Sequence, residues 1–233
     1  LEDAAHAIGG RYKGDPVGNC RYSDIAVFSF HPVKVITTGE GGIAVTNDER
    51  LARNMRLLRS HGITNDAAEM HPRAANELWN YQQIELGFNY RMTDIQAALG
   101  SSQMQRLDEF VGRRHVIAAR YDEALRELPL TIPWQHPDAR SSYHLYVIRL
   151  KLAEIGRTHR QIYQAMHEAG VLVNLHYIPV YRQPYYERMG FAAGYCPNAE
   201  RYFAEALSLP MYSGLTDNDH DMVVRALRQS LTG

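Results

Sequence analysis

Lys34 lies within Phe28 to Gly42, FSFHPVKVITTGEGG, and its near neighbours in sequence are Phe28, Phe30, Pro32, Val33, Val35 and Ile36. Apolar surroundings strip an ammonium of hydration, so the pKa falls and the neutral amine becomes available. Such an amine condenses with carbonyls, including the aldehyde of pyridoxal phosphate (PLP). A lysine with a buried stem and a head reaching water gives the same local pattern, so Lys34 alone decides nothing. Ser29 adds a short hydroxyl suited to a phosphate oxygen. Asp3, in EDAAH, is expected at the carboxyl end of a strand, where α/β sheets bind their ligands. A carboxylate there could keep the pyridine nitrogen of PLP protonated, which makes the ring a stronger electron sink. Gly39, Gly41 and Gly42 would let the backbone turn close to a bound group. Each feature has a plainer reading: Asp3 as a helix cap, Ser29 as an alternating strand residue, the glycines as a hairpin turn. Together and in this order they point to cofactor chemistry.

Positioning such groups takes strands and helices, and the pattern supplies both. IAVFSF (25–30) and GGIAVTND (41–48) read as strands, with TTGEGG as a tight reversal between them. A helix with Leu51, Met55 and Leu58 on one stripe is expected from Glu49 to about Ser60, capped by Asp48. Residues 61–83 read as an irregular loop. A long helical pattern starts behind Thr93, with a possible break near Gly100. Farther on, SSYHLYVIRL (141–150) reads as a strand, THRQIYQAMHEAG as a helix between Thr158 and Gly170, and VLVNLHYIPV as another strand. PNAERYFAEALSLP and TDNDHDMVVRALRQSL close the chain as helices. Alternating strands and helices argue an α/β fold. A boundary near 110–128 gives domains of 1–115 and 116–233.

The totals exclude several classes. The 233 residues are 45% hydrophobic and 22% charged with a net charge of -1, which offers no basic face for nucleic acid. Arg113 and Arg114 read as a solvated helix face. Cys20 and Cys196 lack any disulfide-framework or zinc spacing, so no metal is expected and a reducing compartment is the default. No apolar run reaches membrane-spanning length, and a cytoplasmic protein is expected. LEDAAHAIGG starts as if in mid-strand, so a preceding N-terminal portion is expected.

EDAAHAIGG, VFSFHPVKVITTGEGGIAVTND, LRSHGI and ELGFNYRMTDIQAALG, taken together, resemble the DegT/DnrJ/EryC1/StrS sugar aminotransferases. The likeness runs along essentially the whole chain, and the spaced blocks are highly specific. With NLHYIPVYRQPYY and ALSLPMYSGLTD added, the chain is most similar to the branch that serves pseudaminic acid biosynthesis. The resemblance implies a fold-type I PLP-dependent transferase, formed here by the C-terminal part of the large α/β domain and a smaller C-terminal α/β domain. It implies amino transfer from L-glutamate to C4 of a UDP-linked 4-keto-6-deoxy-N-acetylhexosamine, within a homodimer that shares its active sites.

Residue roles follow from the same resemblance. Lys34 would carry PLP and shuttle the proton, Asp3 would meet the pyridine nitrogen, His6 would lie near the ring, and Ser29 would bind the phosphate. Asn89 would reach the phosphate in the neighbouring subunit, and Arg91 would approach the sugar nucleotide. His176 and Tyr177 match positions near the substrate. Family members carry a segment before EDAAH with a phosphate loop and a ring-stacking aromatic, and this chain shows neither. The dehydratase branch of the scaffold replaces the lysine with histidine, so Lys34 argues against it. A transaminase for another nucleotide-linked ketosugar, or a non-catalytic sugar-nucleotide-binding protein, remain the alternatives.

Overall fold

The structure, a computed structural model, describes residues 1–72 and 77–232 and divides into two compact units, Leu1–Leu107 and Asp108–Gly233. The sequence-based division at 115/116 would fall inside a helix.

In the first unit, β1 (Glu2–Asp3) is followed by the short strands β2 (Arg11–Tyr12) and β3 (Asp15–Pro16), then β4 (Ala26–Ser29) and β5 (Gly42–Val45). A three-stranded sheet has the order β1-β4-β5, with β1 parallel and β5 antiparallel to β4. Ala26 and Phe28 of β4 are buried while Val27 between them is exposed, the alternation of a half-buried strand. The last paired residues of β4 and β5 are Ser29 and Gly42. The connection is therefore the whole of 30–41, and TTGEGG is not the tight hairpin its glycines suggest.

Helix α1 (Glu49–Leu58) starts where expected, with the Asp48 side chain accepting from Leu51 N–H. The region 61–83 is not wholly irregular: β6 (Ile63–Thr64) pairs with β7 (Gln82–Gln83). The part of that expected loop at 73–76 lies outside the described residues. Helix α2 (Asp94–Met104) begins with a capping box between Thr93 and Gln96. Gly100 does not break it. It is buried within α2, and a Cβ there would stand 2.8 Å from Thr38 Cγ2, so the missing side chain admits a close neighbour.

From α3 (Leu107–Leu125) onward the second unit runs β8 (Leu130–Thr131), β9 (Ala139–Arg140), β10 (Tyr146–Leu150), α4 (Leu152–Ile155), α5 (His159–Glu168), α6 (Pro184–Glu187), α7 (Pro197–Glu205), β11 (Ala206–Leu209) and α8 (Asp217–Thr232). Antiparallel β11-β10-β8 forms its sheet. Tyr146, Ile148 and Leu150 share one face of β10 and join one buried cluster with Tyr121 of α3, Ile162 of α5 and Leu227 of α8. Two expectations fail here. The residues ALSL, read as helix, form β11, because all four are buried and pair with β10. VLVNLHYIPV makes no strand: only Asn174 bridges to Ser208, and Val171 and Val173 are buried without a ladder.

Arg114 is also not on a solvated face. It is 4% exposed, and its Nη1 donates to the carbonyls of Tyr143, His144 and Met211 at 2.8, 3.2 and 2.9 Å. Burial pulls its pKa down to about 10, which still leaves it charged at neutral pH. Removing the donor strands these buried carbonyls, and Arg114→Met should cost about 3 kcal/mol in urea unfolding. A loss under about 0.5 kcal/mol, the range of ordinary surface substitutions, would show that the contacts hold nothing together.

Candidate active site

Parallel strands end on the same side of a sheet, and this places the first two candidates. Asp3 ends β1 and Ser29 ends β4, with Asp3 in register with Val27 and Ala4 N–H donating to Val27 O at 2.9 Å. Asp3 Oδ1 accepts from Ala5 N–H at 3.0 Å. Residues 4–10 form turns, so Asp3 has no helix to cap. His6 is exposed in the first of these turns. Ser29 Oγ accepts from His31 N–H at 3.3 Å, which leaves its own proton for another acceptor.

Beyond β4 the chain closes into a loop. The Phe30 carbonyl accepts from the Thr37 hydroxyl and from Thr38 N–H, each at 3.0 Å, and Phe30 N–H donates to Gly41 O at 2.9 Å. Thr38 Oγ1 and Gln96 Nε2 both donate to Glu40 O, at 2.7 and 3.0 Å, so α2 holds the loop from outside. Lys34 is half-buried within this loop. Of its sequence neighbours, Phe28, Phe30, Val35 and Ile36 are buried, but Pro32 and Val33 are exposed. Burial pulls the Lys34 pKa below its ordinary value, and the Asp3 carboxylate acts through space in the opposite direction. A desolvated lysine and a carboxylate from a separate strand thus interact at the carboxyl edge of a parallel pair. With the Ser29 hydroxyl on that edge, the donor set fits PLP: an amine for its aldehyde, an anion for its ring nitrogen and a donor for its phosphate.

Asn89 and Arg91 form a second cluster in the same unit. Arg91 Nη2 donates to Asn89 Oδ1 at 3.0 Å and lies 3.3 Å from His61 Nε2. The backbone around them is pinned: His61 N–H donates to Phe88 O at 2.8 Å, and Tyr90 N–H to Arg59 O at 2.9 Å. Gly62 and Gly87 make this possible. A Cβ on Gly62 would run into Glu85 O, and one on Gly87 into Gly62 N. His61 was missed as a candidate although LRSHGI stands out in the sequence. No local signal links a histidine to an arginine thirty residues later.

The remaining candidates belong to the second unit. His176 Nδ1 lies 2.7 Å from Ser208 Oγ, and its ring meets the exposed Tyr177 ring edge-on at 4.6 Å. A groove of about 690 Å³ in the first unit, lined by Ile43, Met55, Leu58, Phe88 and Tyr90 among others, includes neither Lys34 nor Asp3. Among the described residues no group of His, Cys, Asp or Glu could hold a metal ion, and no helix is long and apolar enough to cross a membrane. Cys20 and Cys196 are free thiols.

The profile of the DegT/DnrJ/EryC1/StrS aminotransferase family matches residues 1–228. The chain belongs to that family. Spore coat polysaccharide biosynthesis protein SpsC of Bacillus subtilis is 38% identical over 236 aligned positions, covering 100% of this chain and 60% of SpsC. Among solved structures, Spr1654 from Streptococcus pneumoniae in its PMP-form superposes with a TM-score of 0.86 at 31% identity, over 98% of this chain and 56% of that one. The same protein is also known in a PLP-form. Helicobacter pylori PseC, described as an aminotransferase involved in the biosynthesis of pseudoaminic acid, matches with a TM-score of 0.86 at 30% identity, over 98% and 58% of the two chains. The chain therefore spans somewhat over half the length of these relatives, and shares the mixed α/β fold of a PLP-dependent family.

Proposed function

We propose that the protein works as a PLP-dependent aminotransferase that moves the amino group of L-glutamate to C4 of a UDP-linked 4-keto-6-deoxy-N-acetylhexosamine, as in pseudaminic acid biosynthesis. The interaction of the desolvated Lys34 with Asp3 at the carboxyl edge of β1 and β4 carries this reading. Lys34, Asp3 and Ser29 would hold PLP, with His6 near its ring. The bound cofactor would supply an electron sink for the carbanion formed at the amino donor. A neutral Lys34 Nζ accepts the α-proton of glutamate in one half-reaction and returns a proton in the other. The Asp3 carboxylate keeps a positive charge facing it, and the Ser29 hydroxyl donates to an anion.

PseC supports the pseudaminic acid substrate. The higher identity to SpsC favours a second reading, a transaminase for a different nucleotide-linked ketosugar. Mass analysis of products from the full-length protein, given glutamate and a panel of UDP-ketosugars, separates the two. Amination of none of them would leave a binding protein on the same fold.

We further propose a cytoplasmic homodimer in which Asn89 and Arg91 complete the neighbouring subunit's site, while His176 and Tyr177 approach the substrate. Mixing full-length Lys34→Ala with an Asn89/Arg91 double variant, each inactive alone, should restore up to roughly a quarter of wild-type activity, the statistical expectation for random re-pairing of a two-fold dimer. Subunit exchange seen by mass without any recovery would mean that these residues act within their own chain or not at all.

A further inference from the structure

His61 follows α1 with φ 63, a left-handed backbone uncommon for a histidine. Neighbours fix it there on both sides. Its N–H donates to Phe88 O at 2.8 Å, and its carbonyl accepts from Gln83 Nε2 at 2.9 Å. This places the ring against Arg91, with Nε2 3.3 Å from Nη2. An arginine nitrogen can only donate, so Nε2 must accept. In the tautomer that makes this bond, Nδ1 carries the ring N–H.

The bonding leaves a one-sided inventory. The Asn89 side-chain oxygen is taken by Arg91, and so is the one basic nitrogen of His61. What remains is the other N–H bonds of Arg91, the Asn89 amide N–H groups and His61 Nδ1–H. None of these has another partner among the described residues. Asn89 and Arg91 are exposed and His61 is half-buried, so the free donors can meet a solvent-borne ligand. A cluster whose acceptors are internally satisfied and whose donors are free matches an oxyanion with several acceptor oxygens.

We propose that His61 is a positioning residue: by accepting from Arg91 it holds Arg91 and Asn89 so that this corner presents only donors to a phosphate-type anion. The proposal rests on the reading of Asn89 and Arg91 as ligand-binding residues. Without the acceptor at His61, the guanidinium keeps its charge but loses its direction, so affinity falls without loss of net charge.

The test uses the cofactor-free, full-length protein and inorganic pyrophosphate as probe, titrated by calorimetry. Asparagine tolerates the left-handed backbone but is too short to reach Arg91, whereas glutamine restores an acceptor at that reach. His61→Asn should weaken pyrophosphate binding roughly ten-fold, the loss expected for a hydrogen bond to a charged group, and His61→Gln should return to within about three-fold of wild type. In the loaded enzyme the same pair should raise and then rescue KM for the sugar nucleotide, with kcat little changed. Wild type that does not bind pyrophosphate, or His61→Asn that binds it unchanged, overturns the proposal. Equal weakening in both variants, with a lowered melting point or failure to fold, makes His61 merely structural and also overturns it. If the binding pattern holds but no ketosugar is aminated, the functional reading fails while the role of His61 stands.

Discussion

Lys34→Ala in the full-length protein is expected to abolish covalent cofactor attachment and to lower turnover by roughly 10⁴-fold or more, since both the anchoring amine and the proton-transfer base are lost. Borohydride treatment of the wild type should fix a pyridoxyl group on the peptide that contains Lys34. The chain has three lysines, and the other two stand in different company. Lys13 is exposed in the turn between β2 and β3, with its ammonium 5.5 Å from the Tyr12 ring centre. Lys151 is exposed, with its ammonium 3.7 Å from the Glu154 carboxylate. Of the three, Lys34 alone is half-buried, and that burial pulls its pKa below the ordinary value. Labelling at Lys13 or Lys151 instead would sink the assignment.

Asp3→Asn should leave attachment intact and slow proton abstraction by roughly 100-fold or more, the scale on which preorganised electrostatic groups act. The exchange is nearly isosteric, and the Asn side-chain oxygen can still accept from Ala5 N–H, so the turn after β1 should survive. A second signature separates charge from shape. Burial lowers the Lys34 pKa and Asp3 raises it, so removing the carboxylate removes the opposing influence. The pKa of Lys34 in the cofactor-free protein should therefore move farther down, and the neutral amine should persist to lower pH. Amine reactivity measured against pH reads this directly. A variant within a few-fold of wild-type rate, with an unmoved profile, would reduce Asp3 to a turn residue.

Much of this protein is written in contacts between near neighbours. Asp48, Thr93 and Thr158 each accept a hydrogen bond from the backbone three residues on, so the starts of α1, α2 and α5 are legible without any tertiary knowledge. The strand character of 26–29 and the apolar setting of Lys34 beside buried Val35 and Ile36 are local in the same sense. Asp3 and Ser29 could be nominated from residue type, but their meeting at one edge depends on the parallel pairing of Glu2–Asp3 with Ala26–Val27. Tertiary structure alone decided the rest. ALSL has a helical periodicity with the residues before it, yet pairing with β10 makes it a strand. Arg114 has the sequence context of a surface residue, and only the carbonyls brought over it from residues 143, 144 and 211 make it an interior one. The closed loop around Lys34 and the bond between His61 and Arg91 likewise need partners supplied by the fold. Capping is settled by a few adjacent residues, whereas burial and strand pairing depend on which distant segments arrive, and that is a property of the packed chain.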